Sequence, residues 1–99
     1  MKEKYLPIGT IVTLKGASKR IMIIGYCPID NDNKVYDYAA CPFPEGVISS
    51  DESLVFNHDQ IGIINNLSIE DEEYNNFNNQ IKSSVQTLKE INNITFPQN

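Results

Sequence analysis

The hydrophobic pattern of this 99-residue chain changes period once, near Ile64, and that change limits the fold more than any other feature. Before it, short runs rich in β-branched residues alternate with turn formers, as strands on a half-buried sheet do. After it, Tyr74, Phe77, Ile81, Val85, Leu88 and Ile91 recur at steps of three and four, so they share one stripe of a helix. A chain patterned this way folds as a sheet followed by a helix.

The strands are expected at residues 8–15, 20–27, 35–41, 53–56 and 61–64. Residues 16–19 connect the first two, and the polar stretch 28–34, with Asp30, Asn31, Asp32 and Asn33, forms the next loop. Pro42, Pro44 and Gly46 stop the third strand, because proline cannot continue a ladder. Residues 57–60 read as one helical turn. Five short strands with such a turn before the last predict a small SH3-like, five-stranded antiparallel barrel over residues 5–64. Its expected core includes Ile11, Ile21, Ile23, Val35, Leu54 and Ile63.

A C-terminal amphipathic helix is expected over residues 68–91. Ser68 serves as its N-cap, and acids at 70–73 face the positive end of the helix dipole. Its other face carries Asn75, Asn76, Asn78, Asn79, Gln80, Lys82 and Gln86, which are weak helix formers on the whole, so the helix needs an apolar surface to lie on. The fold class is therefore mainly β with one helix, a single domain over residues 1–99 ending in a flexible tail at 92–99.

The hairpin around the 28–34 loop suggests what that surface is. With Cys27 opposite Val35, Tyr26 faces Tyr36, Ile24 faces Tyr38 and Met22 faces Ala40 on one side; Ile21 with Cys41 and Ile23 with Ala39 lie on the other. Both faces are then apolar, whereas a solvated antiparallel sheet is polar on one. One face closes the barrel; the tyrosine face needs cover, from the chain's own helix or from a second protein. The expected protein-binding residues are Tyr26, Tyr36, Tyr38, Tyr74, Phe77, Ile81 and Leu88, with another protein or a second copy as partner.

Other chemistries find little support in the residues. The net charge of −5 and a pI near 4.6 argue against nucleic acid as a partner. Residues 1–20 carry five basic groups against Glu3, while residues 30–73 carry eleven acids against Lys34. No stretch reaches the ~20 apolar residues of a membrane helix, and no secretory leader is expected, because residues 1–7 have no apolar h-region behind them. The expected location is the cytoplasm, with export alongside a cargo left open. Cys27 and Cys41 fall about 20 Å apart in the expected register, too far for a disulfide. His58 precedes Asp59 but has no nucleophile motif beside it, so a local structural role is expected. Asp30 begins a stretch like a calcium loop, yet the glycine and the terminal glutamate are missing at the required spacings. The expectation is a protein without catalytic residues, cofactor or metal.

Taken in order, several segments carry a resemblance. They are residues 5–12 (Tyr5, Leu6, Pro7, Ile8, Gly9, Thr10, Ile11, Val12), residues 14–16, residues 19–25, Tyr36 to Tyr38, Pro44 with Glu45 and Gly46, and residues 56–61 around His58. This ordered set resembles domain-of-unknown-function family 4176, found in Gram-positive bacteria in gene clusters of the type VII (Esx) secretion system and its LXG-domain toxins. The resemblance covers residues 5–64 and matches 65–99 only loosely. It implies a secretion accessory, a chaperone or adaptor for a secreted effector, and carries over no catalytic residue. An immunity-type inhibitor of a toxin is the alternative within the same binding class; a small enzyme or nucleic-acid binder is the remaining one.

Overall fold

A computed structural model of the chain describes residues 5–49 and 54–90. Five strands and one long helix follow in the order β1 (Ile11–Leu14), β2 (Arg20–Tyr26), β3 (Tyr38–Pro42), β4 (Leu54–Phe56), β5 (Ile61–Asn66) and α1 (Glu72–Lys89), with a 3-10 turn at His58–Gln60 before β5. The fold is mainly β with one C-terminal helix, as the change of period predicts. Ser53, Ile91 and the expected tail at 92–99 lie outside the described residues.

The strands form one antiparallel sheet in the order β4-β3-β2-β1-β5. β4 and β5 stand at its edges and do not pair with each other among the described residues, so the sheet is not closed by hydrogen bonds into the expected barrel. Three register shifts interrupt its ladders, two between β1 and β5 and one between β2 and β3. Such bulges bend a strand and increase its twist.

The bulge in β2 corrects the expected hairpin. Ile23 pairs with Ala40 and Gly25 with Ala39, leaving Ile24 as an extra residue, and Tyr26 then faces Tyr38 rather than Tyr36. One added residue inverts the alternation of everything beyond it. Tyr26 is thereby returned to the face that holds Ile21 and Ile23, and the second face keeps Met22, Ile24, Ala39 and Cys41 but not the expected tyrosines.

The core gathers Val12, Ile21, Ile23, Tyr38, Ala40 and Phe56 from the sheet with Tyr5 and Leu6 from the segment before β1. Ile81 and Val85 of α1 pack against it. Of the expected core residues, Ile21, Ile23 and Val35 are buried and Ile11 is partly so. Leu54 and Ile63 are exposed instead. Both sit on edge strands with a single neighbour, and Ile63 pairs with Thr13 on the face opposite Val12.

The helix begins later than expected. Asp71, not Ser68, caps it, its carboxylate accepting the amide of Tyr74 at 2.9 Å. Ser68 is engaged elsewhere: its amide donates to the buried Thr10 hydroxyl at 3.2 Å, tying the exit from β5 to the entry of β1. Glu72 and Glu73 remain in the first turn, where the helix dipole favours them.

Candidate functional site

Where α1 meets the sheet, two residues of extended chain lie between them. Tyr5 and Leu6 are both buried. Their four main-chain polar groups are all bound by side chains. The Tyr5 amide donates to Asn78 Oδ1 at 2.9 Å, and the Tyr74 hydroxyl donates to the Tyr5 carbonyl. The Leu6 amide donates to the Tyr38 hydroxyl at 3.0 Å, and the Tyr26 hydroxyl donates to the Leu6 carbonyl at 2.6 Å. Helix residues hold Tyr5, and sheet residues hold Leu6.

Aromatic rings line the same place. Tyr5 packs edge-on against Tyr26 and Tyr38, with ring centroids 5.5 and 5.9 Å apart. Phe77 of α1 reaches Tyr26 at 6.0 Å, and Phe56 reaches Tyr38 at 5.1 Å. Burial favours the neutral phenols: it pushes Tyr26 up to about 12 and raises Tyr5 and Tyr38 further still.

Beneath this layer Tyr38 joins a second network. Its hydroxyl lies 2.8 Å from His58 Nδ1. Asp37, also buried, accepts the His58 amide at 2.7 Å, while its own amide donates to Asn57 Oδ1 at 3.1 Å. Asp37 thus anchors the 3-10 turn to the start of β3 through the backbone amide of His58.

The expected binding residues separate into groups. Tyr26, Tyr74 and Ile81 are partly buried at the junction of helix and sheet. Tyr38 is fully buried and has no surface to offer. Phe77 and Leu88 remain exposed along α1. Tyr36 stands apart on the loop before β3, with Lys34 Nζ 5.1 Å from its ring centroid. Sequence reasoning missed Tyr5, Leu6, Asn78 and Asp37. Asn78 had a readable signal: it lies four residues after Tyr74 and three before Ile81, within the helical stripe rather than opposite it.

Cys27 and Cys41 lie at opposite ends of the β2–β3 hairpin and are not joined to each other, Cys41 opposite Met22 and Cys27 just beyond the Tyr26–Tyr38 pair. Among the described residues no group of three or more His, Cys, Asp or Glu side chains is placed to hold a metal ion, and no helix is long and apolar enough to cross a membrane.

The arrangement is suited to holding an extended chain segment, its backbone fixed by hydroxyls and an amide and its side chains set into aromatic walls. No curated protein and no solved structure matches the chain. Residues 5–77 match the model of one family, a span that begins at the buried Tyr5 and runs through the sheet into α1 as far as Phe77. The chain belongs to the family described as Domain of unknown function (DUF4176).

Proposed function

We propose that the protein is a non-enzymatic interaction module serving type VII secretion, a cytoplasmic accessory that acts as chaperone or adaptor for an LXG-type effector. The observation that carries this reading is a run of exposed apolar side chains at the β5 edge. Ile63, Ile64, Leu67 and Ile69 are 59%, 49%, 49% and 73% exposed, four within seven consecutive residues. Single exposed apolar residues are ordinary, but a concentration of them marks a surface for another protein. Phe77 and Leu88 add exposed apolar area on α1. The overall negative charge supports a protein partner over nucleic acid.

The test is capture in the organism that encodes the protein. A tagged chain, cross-linked before lysis, is expected to enrich a secreted effector or a secretion component. A double Ile64→Glu, Ile69→Glu variant with an unchanged circular dichroism spectrum should lose that enrichment. Enrichment of unrelated proteins only, or of nothing, would remove the secretion role.

A further inference from the structure

A strand inside a sheet is held by the main chains beside it. Tyr5 and Leu6 are held differently, with both amides and both carbonyls bound by the side chains of Asn78, Tyr74, Tyr38 and Tyr26. Their own side chains are buried among aromatic rings and the core. This is how a binding protein grips a peptide: main-chain hydrogen bonds supply affinity and side-chain pockets supply selectivity. Pro7 and Gly9 then turn the chain back into β1, the Thr10 amide donating to the Pro7 carbonyl at 3.2 Å and Gly9 adopting a φ of +91°.

The sequences flanking the two partners are opposite in charge. Lys2 and Lys4 precede Tyr5 in sequence, and Glu70, Asp71, Glu72 and Glu73 immediately precede Tyr74, whose hydroxyl holds the Tyr5 carbonyl. The segment that supplies Tyr5 is thus basic in sequence, and the one that supplies Tyr74 is acidic.

We infer that the cleft between α1 and the β2–β3 hairpin is a receptor site for an extended peptide in which basic residues precede an aromatic–aliphatic pair, filled here by the chain's own Tyr5 and Leu6 and open to a partner's segment of the same chemistry. This rests on the reading of the protein as an interaction module, but concerns a site separate from the β5 edge. Displacement exchanges like for like, since the incoming backbone takes over the same four hydrogen bonds. The tethered segment competes at a high effective concentration, so the site in the intact chain binds weakly until that segment is removed or outmatched.

The probe is a fluorescein-labelled synthetic peptide copying residues 2–9, titrated by anisotropy into the full-length chain. Saturable binding to a Tyr5→Ser, Leu6→Ser variant, at least tenfold tighter than to the unaltered protein, is expected. A probe with serines in place of its tyrosine and leucine should not bind, and one with glutamines in place of its lysines should bind severalfold more weakly. No saturable binding to a variant that keeps its helical spectrum, or equal binding of the serine probe, overturns the proposal. If the variant does not fold, amide hydrogen exchange of the unaltered protein decides. Tyr5 and Leu6 amides exchanging at least tenfold faster than that of Ile23 show a releasable segment; exchange in step with Ile23 shows one integral to the fold and overturns the idea. Dimers of the unaltered chain that vanish in the variant would overturn it in favour of segment exchange between copies. None of these readouts involves a secreted effector, so failure here leaves the interaction reading standing.

Discussion

Asn78, near the middle of α1, accepts a hydrogen bond from the main-chain amide of Tyr5, 73 positions earlier in the chain. Both residues are buried. An asparagine in the packed face of a helix is costly unless its polar atoms are used. Here it joins the helix to the segment before β1, and it accounts for a polar residue interrupting an apolar stripe.

Asn78→Ala should therefore destabilise the protein by about 1–3 kcal/mol, because the buried Tyr5 amide loses its acceptor. Urea denaturation followed by circular dichroism measures this. A change within a few tenths of a kcal/mol would show that water or another group replaces Asn78 without cost.

Tyr38→Phe tests the lower layer. The substitution keeps the ring against Phe56 but removes the oxygen shared by the Leu6 amide and His58 Nδ1. A loss of about 1–3 kcal/mol is expected, for the same physical reason. Tyr26→Phe removes a bond at a partly exposed site, where water can replace the donor, and should cost about 1 kcal/mol or less.

The stripe of α1 is unequal along its length. Ile81 packs against the core, whereas Leu88 is 38% exposed. Ile81→Ala should cost about 2 kcal/mol, near the low end for a truncation of this kind. Leu88→Ala should cost well under half as much, and the two denaturation midpoints should fall in that order.

High pH should unfold the protein through its tyrosines. Burial raises the phenols of Tyr5, Tyr26 and Tyr38 above the ordinary value of 10.0, Tyr26 to about 12. A group that holds its proton more tightly when folded contributes its full stability below the unfolded value and loses it as the pH climbs through the folded one. The denaturation midpoint should be insensitive to these groups below about pH 9, then decline from pH 10 towards 12. A spectrophotometric titration of the folded protein should show tyrosinate absorbance lagging behind that of the urea-unfolded chain. Superimposable titrations would contradict the burial of these hydroxyls.

The sheet and helix were legible in sequence because each has its own hydrophobic period, and Gly16, Pro42 and Gly46 punctuate the strands where they turn or end. Register was not legible. Alternation predicts Tyr26 opposite Tyr36; the ladder instead starts one residue away from that register, with Ile23 opposite Ala40, and the extra residue at Ile24 adds the second step that brings Tyr26 opposite Tyr38. Gly25 hinted at that bulge, since glycine inside a strand often accompanies one, but nothing local specifies which residue is left over. The same shift explains why tyrosines expected on a surface are found packed in and around the core. Leu54 and Ile63 were misjudged because strand composition does not reveal which strands lie at a sheet's edge. Ser68 and Asp71 are both good caps by type, and the choice between them depends on Thr10, a residue 58 positions from Ser68. The binding role proposed for the β5 edge depends on a partner, and a lone chain carries only its exposed half.

The extra residue in β2 also decides which inherited changes this hairpin can absorb. Ile24 is partly exposed and has no cross-strand partner, so replacing it alters one outward side chain. Deleting it removes the bulge and leaves a regular ladder in which Ile23, Gly25 and Tyr26 keep Ala40, Ala39 and Tyr38 as partners, so the Tyr26 hydroxyl keeps the Leu6 carbonyl. At this point in the chain a letter can change or drop out without altering the sense; what the strand cannot absorb is Ile24 entering the ladder, which would turn Tyr26 outward.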